Sequence, residues 1–180
     1  MIIRFSTLHA AFWRNGGGET VEIASETGGD PDGGWRWRIS LATVARPGPF
    51  SAFPGMHRIL TVVDGAELDL RIGNKAHRAR RHEPLAFDGA APAAASLHGS
   101  GPARALNVIF DPVAVRAHVE VGRLDGRTSL ATEDVAVALG GDLSVGGFGL
   151  APFDTVLSGS PPPTVHGRGL LARITVGPRV

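Results

Sequence analysis

The chain has 180 residues, 43% of them hydrophobic, with 18 Lys and Arg against 17 Asp and Glu. That length suits one large domain or two small repeats sharing a core, and the charge balance leaves no global field to draw nucleic acid or an anionic membrane. Cysteine is absent, which excludes disulfides and thiolate metal sites, while 25 Gly and 13 Pro favour a turn-rich, all-β chain.

The N-terminus lacks the basic region and apolar run of a secretory signal, so cytoplasmic residence is the expectation. Met1 to Ser6 reads as a short β-type opening. Phe12-Trp13 then leads into Asn15-Gly16-Gly17-Gly18-Glu19-Thr20, where adjacent glycines allow positive φ or close backbone approach. No Lys-Ser/Thr follows, so this is not a phosphate loop. It is either a plain inter-strand loop or a device that sets Asn15, Thr20 and Glu22 at a cavity rim.

Thr20 to Ala24 reads as a strand and Glu26 to Gly34 as a flexible surface connection. From Trp35 the residues alternate, Trp35, Trp37, Ile39 and Leu41 against Arg36, Arg38, Ser40 and Ala42. Successive strand side chains leave opposite faces, so this pattern predicts a wall with a core behind it and a polar cavity in front. Arg46-Pro47-Gly48-Pro49 ends that strand. Asp64-Gly65 predicts a hairpin between Ile59–Asp64 and Glu67–Ile72. Further strands are predicted at Pro84–Phe87, Ala94–Leu97 and Leu106–Phe110. Val113 to Leu124 reads as a helical turn or an irregular strand, and short strands follow to Val176. The basic cluster Lys75, His77, Arg78, Arg80, Arg81, His82 lacks interleaved aromatics and reads as a solvated edge, with no nucleic-acid role.

None of the seven histidines forms a His-x-His pair, so neither a metal site nor any other cofactor is expected. No Gly-x-Ser-x-Gly elbow is present. Binding is better supported. Arg38 and Arg58 lie among apolar neighbours, and a guanidinium suits a planar carboxylate through paired charge-assisted hydrogen bonds. Asn15 and Asn107 add amide donors and acceptors. Two readings stay open: the arginines await a ligand, or Glu22 neutralises one and Asp64 or Asp88 the other.

Several segments together resemble one family. Phe12-Trp13-Arg14-Asn15-Gly16-Gly17-Gly18-Glu19-Thr20-Val21-Glu22 is similar to the W-K/R-N-G-G-G-x-T-x-E signature of the HutD/Ves family. Trp37–Ala42, Gly48–Arg58, Phe87-Asp88-Gly89 and Gly101–Val108 resemble its later blocks, in the expected order. The resemblance implies a cupin-like (RmlC-type) double-stranded β-helix, a bicupin with approximate halves 1–110 and 111–180 and a pocket without the usual metal ligands. It also implies an association with histidine utilisation. There the family is thought to bind a formyl- or formimino-glutamate-type intermediate, or urocanate, and to restrain the pathway.

One departure is Ala105, where the family usually has Asp, with Leu106 in the following aromatic position. The expected function is therefore metal-independent binding of a small carboxylated metabolite. Arg38 and Arg58 hold the carboxylate, Asn15 and Asn107 orient it, and Glu22, Thr20 and Ser40 shape the polar wall. Trp13, Phe50 and Phe53 form apolar sides or a lid. The alternatives are a metal-free isomerase or hydrolase with Glu22 or His57 as base, and a partner-binding protein with a vestigial pocket. No nucleic-acid or membrane partner is expected; a homodimer is plausible for this architecture.

Overall fold

The computed structural model describes residues 1–28 and 34–179. The connection expected at Glu26–Gly34 therefore falls largely outside the described residues. The strands are β1 (Ile2–Ile3), β2 (Ala10–Phe12), β3 (Gly18–Thr27), β4 (Trp35–Val44), β5 (Gly48–Pro49), β6 (His57–Ile72) and β7 (Lys75–Ala79). There follow β8 (Leu85–Asp88), β9 (Ala93–Phe110), β10 (Val115–Ser129), β11 (Asp134–Val145), β12 (Phe148–Leu150), β13 (Thr155–Leu157) and β14 (Thr164–Pro178). A single 3-10 turn, Phe5–Thr7, is the only helical element among the described residues. The all-β expectation holds.

The chain divides into two compact units. One combines Met1–Leu8 with Arg116–Pro178. Its sheet runs β1-β13-β11-β14-β10, with β12 on β11. The other is built on His9–Val115, and its sheet runs β2-β3-β4-β9-β6-β7, with β5 on β9 and β8 on β6.

Two long bent strands organise the second unit. Asp64-Gly65 does not close a hairpin as predicted. β6 runs straight through it, and the register against β9 shifts between Val62 and Asp64 and again between Gly65 and Glu67. Gly65 has φ +76°, and a Cβ there would collide with the Pro102 carbonyl. A bulge and a tight turn both call for positive φ, so the dipeptide alone does not distinguish them. β9 likewise joins the two segments expected at Ala94–Leu97 and Leu106–Phe110, bending through Gly99 and Gly101, at φ +118° and +79°. The Val113–Leu124 segment is largely strand rather than a helical turn.

The apolar interior of this unit is filled by Val44, Leu60, Val62, Leu68, Leu70, Ala103 and Ala105, all buried. Ile39, Leu41, Leu106 and Val108 are also buried and alternate with residues of the interior face, as strand geometry requires.

Candidate functional site

Three strands of the second unit lie side by side in register, β4, β9 and β6. Residues directly opposite one another share a face, so the register stacks three rungs on the interior side. The outermost is Arg38, Ile109, Arg58; the next is Ser40, Asn107, Leu60; the third is Ala42, Ala105, Val62. Polarity falls with depth. The first two rungs contribute to a cavity of about 490 Å³ that Ala42 of the third also lines, while Ala105 and Val62 belong to the apolar filling.

Asn15, Thr20, Trp13, Arg38, Ser40, Phe50, Phe53, Arg58 and Asn107 all line this cavity. The glycine run makes the approach possible. Asn15 Oδ1 accepts from the Gly17 amide at 2.9 Å, and the Gly17 carbonyl accepts from Ala45 and Arg46. At Gly18 any Cβ would meet the Thr43 carbonyl. Trp13 is set by Nε1 donating to Thr20 Oγ1 at 2.8 Å and stands edge-on to Phe50, centroids 6.1 Å apart.

Arg58 is the centre of the site. It is 7% exposed, and its Nε and Nη2 both donate to Asn107 Oδ1, at 2.9 and 2.6 Å. Asn107 Nδ2 in turn donates to the Ala105 carbonyl at 3.1 Å. The guanidinium carbon lies 4.6 Å from the Phe50 ring centroid and 5.5 Å from that of Phe87. Burial pulls its pKa down from the ordinary guanidinium value to about 10. Among the described residues no carboxylate pairs with it. Asp64 bonds Arg104 at 3.4 Å, and Asp88 Oδ1 accepts from the Ala90 amide at 2.8 Å. The two acids considered from the sequence are thus engaged elsewhere.

Arg38 differs. Its Nε donates to Glu22 Oε2 at 2.8 Å, and its guanidinium carbon sits 4.6 Å from the Trp35 ring centroid. Glu22 is the one residue of the predicted binding set not among the cavity's lining side chains. A bulge between Glu22 and Ala24 breaks the alternation expected over Thr20–Ala24 and brings Ser25, whose hydroxyl donates to Glu22 Oε1 at 2.8 Å, opposite Arg38. Trp35 also departs from expectation. A second register shift at Glu26/Thr27 lies opposite its end of the strand, and it packs near Phe53, centroids 6.4 Å apart, rather than in a core. Phe87 was missed by sequence reasoning. It lies on β8, which pairs with β6 so that Phe87 sits opposite Arg58, a pairing no local pattern announces.

Among the described residues no group of three or more His, Asp or Glu is placed to hold a metal.

The match to the HutD family model runs over residues 6–166. This chain belongs to the HutD family. HutD from Pseudomonas fluorescens SBW25, solved in a formate condition, superposes with a TM-score of 0.82 at 29% identity, covering 100% of this chain and 99% of that one. Protein Ves of Citrobacter koseri is 36% identical over 61% of this chain, and the match spans 56% of that relative's length. An uncharacterized 21.2 kDa protein in the hutC 3' region of Pseudomonas putida is 34% identical over 71% of this chain and 65% of its own length. This HutD-family chain has a cupin-like, all-β fold. No helix among its described residues is long and apolar enough to cross a membrane.

Proposed function

We propose that this HutD-family protein binds a small carboxylated metabolite in the cavity at Arg58, without metal, and acts by binding rather than by turnover. One observation carries this reading: a guanidinium almost wholly removed from water that is held by a neutral amide and two aromatic faces and by no acid. A buried cation without a counter-charge is costly. A ligand carboxylate supplies that charge and accepts the guanidinium's remaining donors, and hydrogen bonds to charged groups contribute about 1.5–3 kcal/mol each.

The family name and the hutC-region relative support a regulatory role in histidine utilisation, with a formyl- or formimino-glutamate-type compound or urocanate as the metabolite. A base for chemistry has less support. Glu22 is engaged by Arg38 and Ser25, and His57 packs edge-on to Phe110 outside the cavity lining.

Calorimetric titration tests the proposal. Urocanate, N-formylglutamate and formate are titrated into the wild type and into Arg58→Met. At least one acid is expected to bind the wild type and to lose about a hundredfold or more in affinity in the variant. A wild type that binds none of them, or a variant that binds equally well, overturns the reading.

A further inference from the structure

The two arginines of the outer rung are alike in presentation and unlike in charge. Each is held at Nε by one acceptor, and each lies over an aromatic face, Trp35 for Arg38 and Phe50 for Arg58. Each side chain lines the same cavity. Through Ile109 they are two strands apart, a Cα separation of roughly 10 Å.

Their acceptors differ. Arg58 is held by the neutral Asn107 amide and so presents a full positive charge. Arg38 is held by the Glu22 carboxylate and so presents donors with almost no net charge. No described residue accepts from Arg38 Nη1 or Nη2, so that end of the guanidinium is available to a ligand.

We propose that the site selects a carboxylate ligand whose second hydrogen-bond acceptor, the one that reaches Arg38 a few atoms away, is uncharged, and that Glu22 sets this preference. The proposal rests on the carboxylate reading of Arg58. An amide or other carbonyl oxygen takes the Arg38 donors with little loss of hydration. A second carboxylate there gives up far more hydration and meets the field of the Glu22 carboxylate as well as that of Arg38. Arg14 also lines the cavity but is exposed at its mouth, where solvent and salt screen its charge.

Matched ligands give the test: butyrate, glutarate and the monoamide of glutarate, each titrated calorimetrically into wild type, Glu22→Gln and Arg38→Gln. In the wild type the monoamide is expected to bind about tenfold more tightly than glutarate. Glu22→Gln removes the compensating charge and is expected to reverse that order, and Arg38→Gln to abolish the monoamide's advantage over butyrate. Wild type binding glutarate as tightly as the monoamide, or an unchanged ratio in Glu22→Gln, overturns this inference while Arg58-dependent butyrate binding leaves the carboxylate reading standing. Failure of all three ligands to bind the wild type overturns both.

Discussion

The two units handle buried charge in opposite ways. In the unit containing Arg116–Pro178, the buried charged residues are acids, Asp134 and Asp154, and each has internal partners. Asp154 accepts from Arg4 Nη1 at 2.6 Å and from the amides of Phe5 and Ala151 at 2.9 and 3.0 Å. Asp134 accepts from Thr175 Oγ1 and the Ala131 amide, with Arg173 at 3.7 Å, and Arg173 also donates to Thr128 and Ser129. In the unit built on His9–Val115 the buried charge is a cation, Arg58, and its partner is an amide. One unit is electrostatically closed. The other is short of an anion, which is why we propose it as the binding unit.

The comparison breaks most visibly where a closed pair is opened. Asp154→Ala strands the Phe5 and Ala151 amides and leaves Arg4 the Gly149 carbonyl but no counter-charge, so we expect a loss of about 2–4 kcal/mol in urea unfolding. Burial raises the Asp154 pKa, but the Arg4 hydrogen bond, the Phe5 and Ala151 amides and the Arg4 charge together outweigh it, and the net value lies below the ordinary 3.8. The folded carboxyl therefore binds its proton less readily than the unfolded one. Its contribution is present above the ordinary value and is lost as pH falls through the folded value. The wild type should lose stability below about pH 4 more steeply than Asp154→Asn does.

Arg58→Met should do the reverse. Depression of the guanidinium from its ordinary value to about 10 corresponds to a cost of roughly 3 kcal/mol for holding the charge in the unliganded fold. Removing the charge leaves Asn107 Oδ1 without its donor, which offsets roughly 1–2 kcal/mol. A net gain of about 1–2 kcal/mol in urea unfolding is expected, together with lost carboxylate binding. A destabilised Arg58→Met would mean that the arginine serves the fold and not a ligand.

The same depressed value sharpens the comparison through pH. A ligand carboxylate needs protonated Arg58, so affinity should be flat through neutral pH. Above about 10 it should fall toward a tenfold loss per pH unit. Titration of the bound acid by calorimetry from pH 7 to pH 10.5 checks this, and a curve breaking near the histidine range would point to another group.

Much of this was legible in the chain because strand alternation is local. The Arg38, Ser40, Ala42 face and the apolar Ile39, Leu41 face follow from period two alone, and both appear in the fold. What was not legible depends on register. Whether Arg58 meets Asp88 or Asn107 is decided by pairings across β8, β6 and β9, and nothing within β6 encodes them. Asp64-Gly65 reads locally as a hairpin turn for a related reason. Its positive φ is real, but the partner that turns it into a bulge lies at Pro102 and Ala103, far along the chain.

Phe87 is the smallest test and the most specific to the open unit. Its ring, with that of Phe50, faces the Arg58 guanidinium. In the closed unit Arg173 has hydrogen-bond acceptors and a carboxylate nearby instead. Cation–π contacts contribute about 0.5–2 kcal/mol when desolvated. They also fix the plane of the guanidinium, and so the direction in which its free donors face the cavity. Phe87→Leu keeps the apolar volume roughly constant while removing the ring quadrupole, so unfolding should change by less than about 1 kcal/mol. Carboxylate affinity should weaken about threefold to tenfold. Leu85, on the same strand and partly buried against the same apolar filling, provides the control, since Leu85→Met should leave affinity unchanged. Equal losses in both variants would assign Phe87 to packing, whereas a loss confined to Phe87→Leu would show that aromatic faces support the cation until the ligand's carboxylate arrives.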